Sequence, residues 1–153
     1  MKRRPGELFY LATQGCKVNQ YESQAIREAW LDEGLMETHD PALADIVLVN
    51  SCAVTERAVL DLAKLVRGFA AADPKPWIVV AGCAVEADRE RILALGLVDE
   101  VIAQKDKAAL AVAAREVSAA LRQPIAHRQC VFEVFARRLP DGRRFGVVAG
   151  TGR

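Results

Sequence analysis

Three of the four cysteines stand at one kind of place in the chain. Cys16 follows the apolar run Leu8-Phe9-Tyr10-Leu11-Ala12, Cys52 follows Ile46-Val47-Leu48-Val49, and Cys83 follows Trp77-Ile78-Val79-Val80-Ala81. Each run has the length and composition of a strand, and each cysteine is followed by a helix-like segment. In an open parallel sheet the carboxyl ends of all strands lie on one edge, where ligands bind. Thiols delivered to that edge can meet although they are far apart in sequence. Three thiolates can hold an iron–sulfur cubane, which normally takes four protein ligands, and leave one iron open to a small ligand. Gly15 and Gly82 remove side-chain bulk beside two of the sulfurs. The helix starts that follow can point backbone N–H groups at a negative cluster.

Two other readings stay open on spacing alone. A structural zinc site usually takes four ligands, often in Cys-x-x-Cys pairs, and this sequence has no such pair. Its two histidines, His39 and His127, fall on a weak strand and in the tail, and neither stands out as a fourth ligand. The plainer alternative is three reduced cysteines packed as small hydrophobes. Cys130 lies in the tail without a matching partner and reads as a bystander.

For the thiols to meet, the elements must set three turns side by side. Strands are expected at 7–12, 46–50, 77–81 and 98–102, with a short weak one at 35–38. The first helix has Asn19 as N-cap and Glu22 three residues on, a capping box in form. Its apolar positions are Ala25, Ile26, Ala29 and Trp30, and Gly34 ends it. The second helix carries Val59, Leu62, Ala63, Val66, Phe69 and Ala70 on one face and stops before Asp73-Pro74-Lys75-Pro76. A third is expected over 86–95, ending at Gly96, and a last one over 108–121. Strands alternating with helices give βαβ units, a parallel five-stranded sheet and helices on both faces. In flavodoxin-like order the first, third and fourth strands are neighbours, and these lead to Cys16, Cys52 and Cys83.

The chain has 153 residues, enough for one α/β domain, and its 52% hydrophobic and 27% charged residues are ordinary for a globular protein. No apolar run reaches the roughly 20 residues of a membrane span. The basic start, Met1 to Glu7, lacks a cleavage site of signal-peptide type. A cytoplasmic chain is expected, with thiols rather than disulfides. The net charge of +1 hides an asymmetry. Residues 1–121 carry 14 Lys and Arg against 18 Asp and Glu, whereas residues 122–153 carry 7 against 2. The first stretch is expected to be the α/β domain. The second is expected to be a basic linker or hairpin, with strands at 131–136 and 143–149 about a turn at Pro140-Asp141-Gly142. Its charge suits nucleic acid or simple solvation. A Gly-x-Gly-x-x-Gly fingerprint, a phosphate-binding loop and a Ser/His/Asp set are absent from the sequence.

The three cysteine neighbourhoods carry a resemblance. They read Thr13-Gln14-Gly15-Cys16-Lys17-Val18-Asn19-Gln20-Tyr21-Glu22-Ser23, Asp45-Ile46-Val47-Leu48-Val49-Asn50-Ser51-Cys52-Ala53-Val54-Thr55, and Val79-Val80-Ala81-Gly82-Cys83-Ala84. Over about residues 7–110 the chain resembles the amino-terminal domain of the radical S-adenosylmethionine methylthiotransferases. The resemblance implies that Cys16, Cys52 and Cys83 hold an auxiliary [4Fe–4S] cluster. Its open iron would carry the sulfur or methylsulfide that is inserted into the substrate. The stretch from Gly15 to Glu22 is most similar to the branch that methylthiolates threonylcarbamoyladenosine beside the anticodon of tRNA. Sister branches act on isopentenyladenosine in tRNA or on a ribosomal protein.

One departure is large. The Cys-x-x-x-Cys-x-x-Cys motif that holds the family's second cluster and engages S-adenosylmethionine is absent. The chain is therefore expected to be one piece of a longer enzyme, able to bind the auxiliary cluster but not to cleave S-adenosylmethionine. Two other function classes fit the same residues. One is an iron–sulfur interaction or electron-carrier module. The other is a metal-free flavodoxin-like domain that uses the same edge for a nucleotide.

Overall fold

A computed structural model describes residues 8–15, 17–51, 55–73, 75–104, 107, 110 and 148–149. The elements run in the order β1 (Leu8–Gln14), α1 (Lys17–Asp32), β2 (Met36–Glu37), a 3-10 turn (Pro41–Leu43), β3 (Ile46–Ser51), α2 (Glu56–Ala70), β4 (Trp77–Gly82), α3 (Cys83–Ala94), β5 (Glu100–Ala103) and β6 (Val148–Ala149). The sheet order is β2-β1-β3-β4-β5-β6. The first five strands are parallel, and β6 pairs antiparallel with β5. The α/β class, the parallel sheet and the adjacency of β1, β3 and β4 are as the sequence implies.

Every residue of β3 and β4 is buried, which is why Ile46–Val49 and Trp77–Ala81 read as continuous apolar runs rather than alternating ones. Helices cover both faces. Consecutive residues of a strand point to opposite faces. Phe9 meets Trp30 of α1 edge to face, with ring centroids 5.2 Å apart, while Tyr10 meets Phe69 of α2 at 5.6 Å. Val47, Val49, Ile78 and Val80 pack with Leu62 and Val66 of α2 and Ala84, Val85 and Ile92 of α3. Trp30 lies fully buried against the other face, and its Nε1 donates to the Leu110 carbonyl at 3.0 Å, so its one polar atom is satisfied.

Several boundaries differ from expectation. α1 begins at Lys17, so Asn19 lies inside the first turn and is not the N-cap. Its amide donates to the Gln14 carbonyl at 3.0 Å, tying helix to strand instead of capping. Ala25 is exposed, so the buried stripe of α1 runs through Asn19, Ser23, Ile26 and Trp30. The helix closes at Gly34 as expected: the Gly34 and Leu35 N–H groups donate to the carbonyls of Leu31 and Trp30, both at 3.0 Å. α2 is capped by Thr55, whose hydroxyl accepts from the Ala58 N–H. α3 starts at Cys83 rather than residue 86 and is kinked at Asp88.

The last expected helix lies outside the described residues except at Leu110. Most of the expected basic segment also lies outside them. Val148 and Ala149 are described, and they pair with Val101 and Glu100 of β5. Among the described residues no helix is long and apolar enough to cross a membrane.

Candidate metal centre

The strand ends that lead to the three cysteines form one edge. Thr13 pairs with Asn50 and Gln14 with Ser51, while Asn50 also pairs with Ala81. β1 therefore ends two residues before Cys16, β3 ends one residue before Cys52, and β4 runs directly into Cys83. Cys16 and Cys52 themselves lie outside the described residues. Cys83 is a partly exposed thiol in no disulfide. It is the first residue of α3, and the partial positive charge of a helix start favours negative charge there.

The backbone at this edge is closely packed. Gly82 has φ 112 and ψ −163, a conformation that belongs to glycine. A Cβ placed on it would lie 2.3 Å from the carbonyl oxygen of Ser51, the residue before Cys52. The turn carrying Cys83 is thus pressed against the strand end that leads to Cys52. Gly15, beside Cys16, has φ 114. An edge of neighbouring strand ends, glycine turns and a thiol at a helix start suits a compact anionic group held by sulfur.

Beneath the edge lies a network of buried polar side chains. Asn50 donates its amide to the Asn19 carbonyl and the Ser23 hydroxyl, both at 3.0 Å. The Thr13 hydroxyl donates to Ser23 at 2.7 Å. The Ser51 hydroxyl donates to the Gln14 side-chain oxygen at 3.2 Å. Lys107, 1% exposed, donates from Nζ to Asn50 Oδ1 at 2.9 Å and to Asn19 Oδ1 at 3.3 Å, and forms an ion pair with Glu22. Glu22 thus serves a lysine and not a capping box. Sequence reasoning missed Asn50, Ser23 and Lys107. Asn50 and Ser51 gave one signal, a polar pair closing an otherwise apolar strand. Lys107, in a run of charged residues, gave none.

The remaining candidates lie elsewhere. His39 is exposed just past β2, which pairs with the beginning of β1, away from its carboxyl end. His127 and Cys130 lie outside the described residues. Among the described residues, no group of three or more His, Cys, Asp or Glu is placed to hold a metal.

Residues 8–103 match the family described as "Uncharacterized protein family UPF0004". The chain belongs to this family. The UPF0004 match begins at the first residue of β1 and ends at the last of β5, so it takes in the five parallel strands and all three cysteine positions. Among curated relatives, the chain is 37% identical over 103 residues to the threonylcarbamoyladenosine tRNA methylthiotransferase MtaB of Chlamydia pneumoniae, covering 67% of this chain and 24% of that protein. It is 37% identical over 93 residues to the tRNA-2-methylthio-N(6)-dimethylallyladenosine synthase of Ruegeria pomeroyi, covering 58% and 21%. The protein of the same description from Petrotoga mobilis is 38% identical over 88 residues, covering 56% and 20%. This UPF0004 chain spans about a quarter of the first relative and a fifth of the other two.

Proposed function

We propose that this chain is the auxiliary-cluster domain of a tRNA methylthiotransferase, with Cys16, Cys52 and Cys83 as ligands of a [4Fe–4S] cluster. The observation that carries the proposal is the register Gln14–Ser51 and Asn50–Ala81, which sets side by side the ends of the three strands leading to the three cysteines. When bound, a cluster with three protein thiolates supplies an open iron for a sulfur-containing ligand. The chain's own part is to hold and orient. Cys83 presents its sulfur at the start of α3, where the helix dipole favours a negative group. Gly82 brings that turn against the Ser51 carbonyl. The Asn19 amide ties α1 to the end of β1 and the Asn50 amide ties β3 to α1, so the residues next to Cys16 and Cys52 begin from a set position.

The relatives' names support tRNA as the substrate and methylthio transfer as the reaction. S-adenosylmethionine and a second [4Fe–4S] cluster would be engaged outside the residues of this chain, and such an enzyme would work in the cytoplasm. The basic stretch with Arg137, Arg138, Arg143, Arg144 and Arg153 would assist by meeting the tRNA backbone, an interaction that weakens steeply with salt. The substrate we favour is threonylcarbamoyladenosine, supported by the Gly15–Glu22 sequence and by the relative from Chlamydia pneumoniae. The dimethylallyl (isopentenyl) adenosine reading is favoured by relatives of that description at 37% and 38% identity.

Nucleoside mass spectrometry of tRNA tests both. Deleting the gene that encodes this chain should remove the methylthio group from threonylcarbamoyladenosine and leave the unmodified parent. Loss from dimethylallyladenosine instead would move the substrate assignment. Unchanged methylthio content of both nucleosides would contradict the proposal.

A further inference from the structure

Lys107 is a charged side chain in a place that folding alone does not require. Its ammonium is buried, and an ammonium has three protons to place. The Glu22 carboxylate, Asn50 Oδ1 and Asn19 Oδ1 receive them. Burying a charge costs free energy that an apolar side chain of the same size would not incur. The location of the three acceptors suggests what that cost obtains. Asn19 and Glu22 are three residues apart on one face of α1, in its first two turns, and α1 begins one residue after Cys16. Asn50 is the penultimate residue of β3, which ends one residue before Cys52. One ammonium therefore joins the start of α1, beside Cys16, to the end of β3, beside Cys52.

We propose that Lys107 is a positioning residue for the cysteine edge: through Glu22, Asn19 and Asn50 it locks the start of α1 to the end of β3 and so fixes the spacing of the chain positions next to Cys16 and Cys52. This rests on the reading of those cysteines as cluster ligands. Lys107 lies outside the 8–103 family match, so the clamp is added from beyond β5. Without the ammonium, two buried amide oxygens lose a donor where little water reaches, and the partly exposed Glu22 carboxylate loses its partner. The Asn50–Asn19 and Asn50–Ser23 bonds still hold part of the edge. Loosening rather than collapse is the expected result.

The test uses the full 153-residue chain, reconstituted anaerobically with iron and sulfide. Lys107→Met keeps the stem and removes the charge. It should still take up iron but release it to a chelator about ten-fold faster, the lower end of what outer-shell partners are worth. The electron paramagnetic resonance signal of its reduced cluster should shift, a readout that general loss of stability does not move. Lys75→Met, which breaks the ion pair with Asp99 at the opposite edge, should leave both readouts unchanged. Wild-type release and an unaltered signal in Lys107→Met would overturn the inference. If that variant does not fold, Glu22→Gln decides, because its carboxamide keeps an acceptor at the partly exposed end of the clamp. A shifted signal and faster release support the proposal, and wild-type behaviour overturns it. Cysteine-to-alanine variants separate this result from the underlying reading. If they lose iron while the Lys107 and Glu22 variants behave as wild type, only the clamp fails. If they keep it, the ligand assignment and the clamp both fall.

Discussion

The two ends of the parallel sheet are secured in different ways. At the edge where the strands begin, single carboxylates hold neighbouring strand starts. Asp45, just before β3, accepts the Leu8 N–H of β1 at 3.1 Å, and Asp99, just before β5, accepts the Ile78 N–H of β4 at 2.9 Å. Lys75 completes the second of these at 2.8 Å. Each is a short local device that satisfies a backbone donor. At the edge where the strands end, the side chains are amides, hydroxyls and a buried lysine joined in a shared network, and one glycine turn has no room for a Cβ. The first edge is built to close the sheet. The second carries more constraint than closure needs, which is what an edge that must hold a group in place requires.

Substitutions at the two edges should separate stability from iron binding. Gly82→Ala should have the largest effect. It combines a glycine-only conformation with a Cβ 2.3 Å from the Ser51 oxygen, and should cost about 3 kcal/mol in urea unfolding of the apo chain. Reconstituted iron should fall with it. Asp99→Ala comes next. It removes the acceptor of a buried N–H and the partner of Lys75, for about 2 kcal/mol, yet iron per chain should equal wild type. Thr55→Ala should be smallest, about 1 kcal/mol for a lost helix cap. It lies near the cysteine edge but outside the network, so iron loading should again be unchanged. Loading that tracked stability alone across the three variants would erase the distinction between the edges.

The sheet was legible because β1, β3 and β4 are apolar runs separated by helices with clear faces, and parallel order follows from that alternation. The strand ends were undershot for a physical reason. Thr13, Gln14 and Ser51 are polar and read as loop, but in the sheet their backbones pair and their side chains bond to one another or to α1. Asn19 carried a true signal of a local backbone hydrogen bond. Its amide donates to Gln14 inside the first turn rather than accepting as a cap, and residue type alone does not separate the two. α3 was placed late because Cys83-Ala84-Val85 continues the apolar character of β4. Lys107 was invisible, since nothing next to it in sequence announces that Glu22, Asn19 and Asn50 will enclose it.

The proposed cluster site needs Cys16, Cys52 and Cys83 to converge on one iron–sulfur cluster. Anaerobic reconstitution of the 153-residue chain and its single cysteine variants, with iron and sulfide counted per chain, tests this most directly. About four irons are expected in the wild type. Near-complete loss is expected in Cys16→Ala, Cys52→Ala and Cys83→Ala, and wild-type loading in Cys130→Ala. Iron content unchanged in the first three variants, or a single tetrahedral zinc in place of iron, would contradict it.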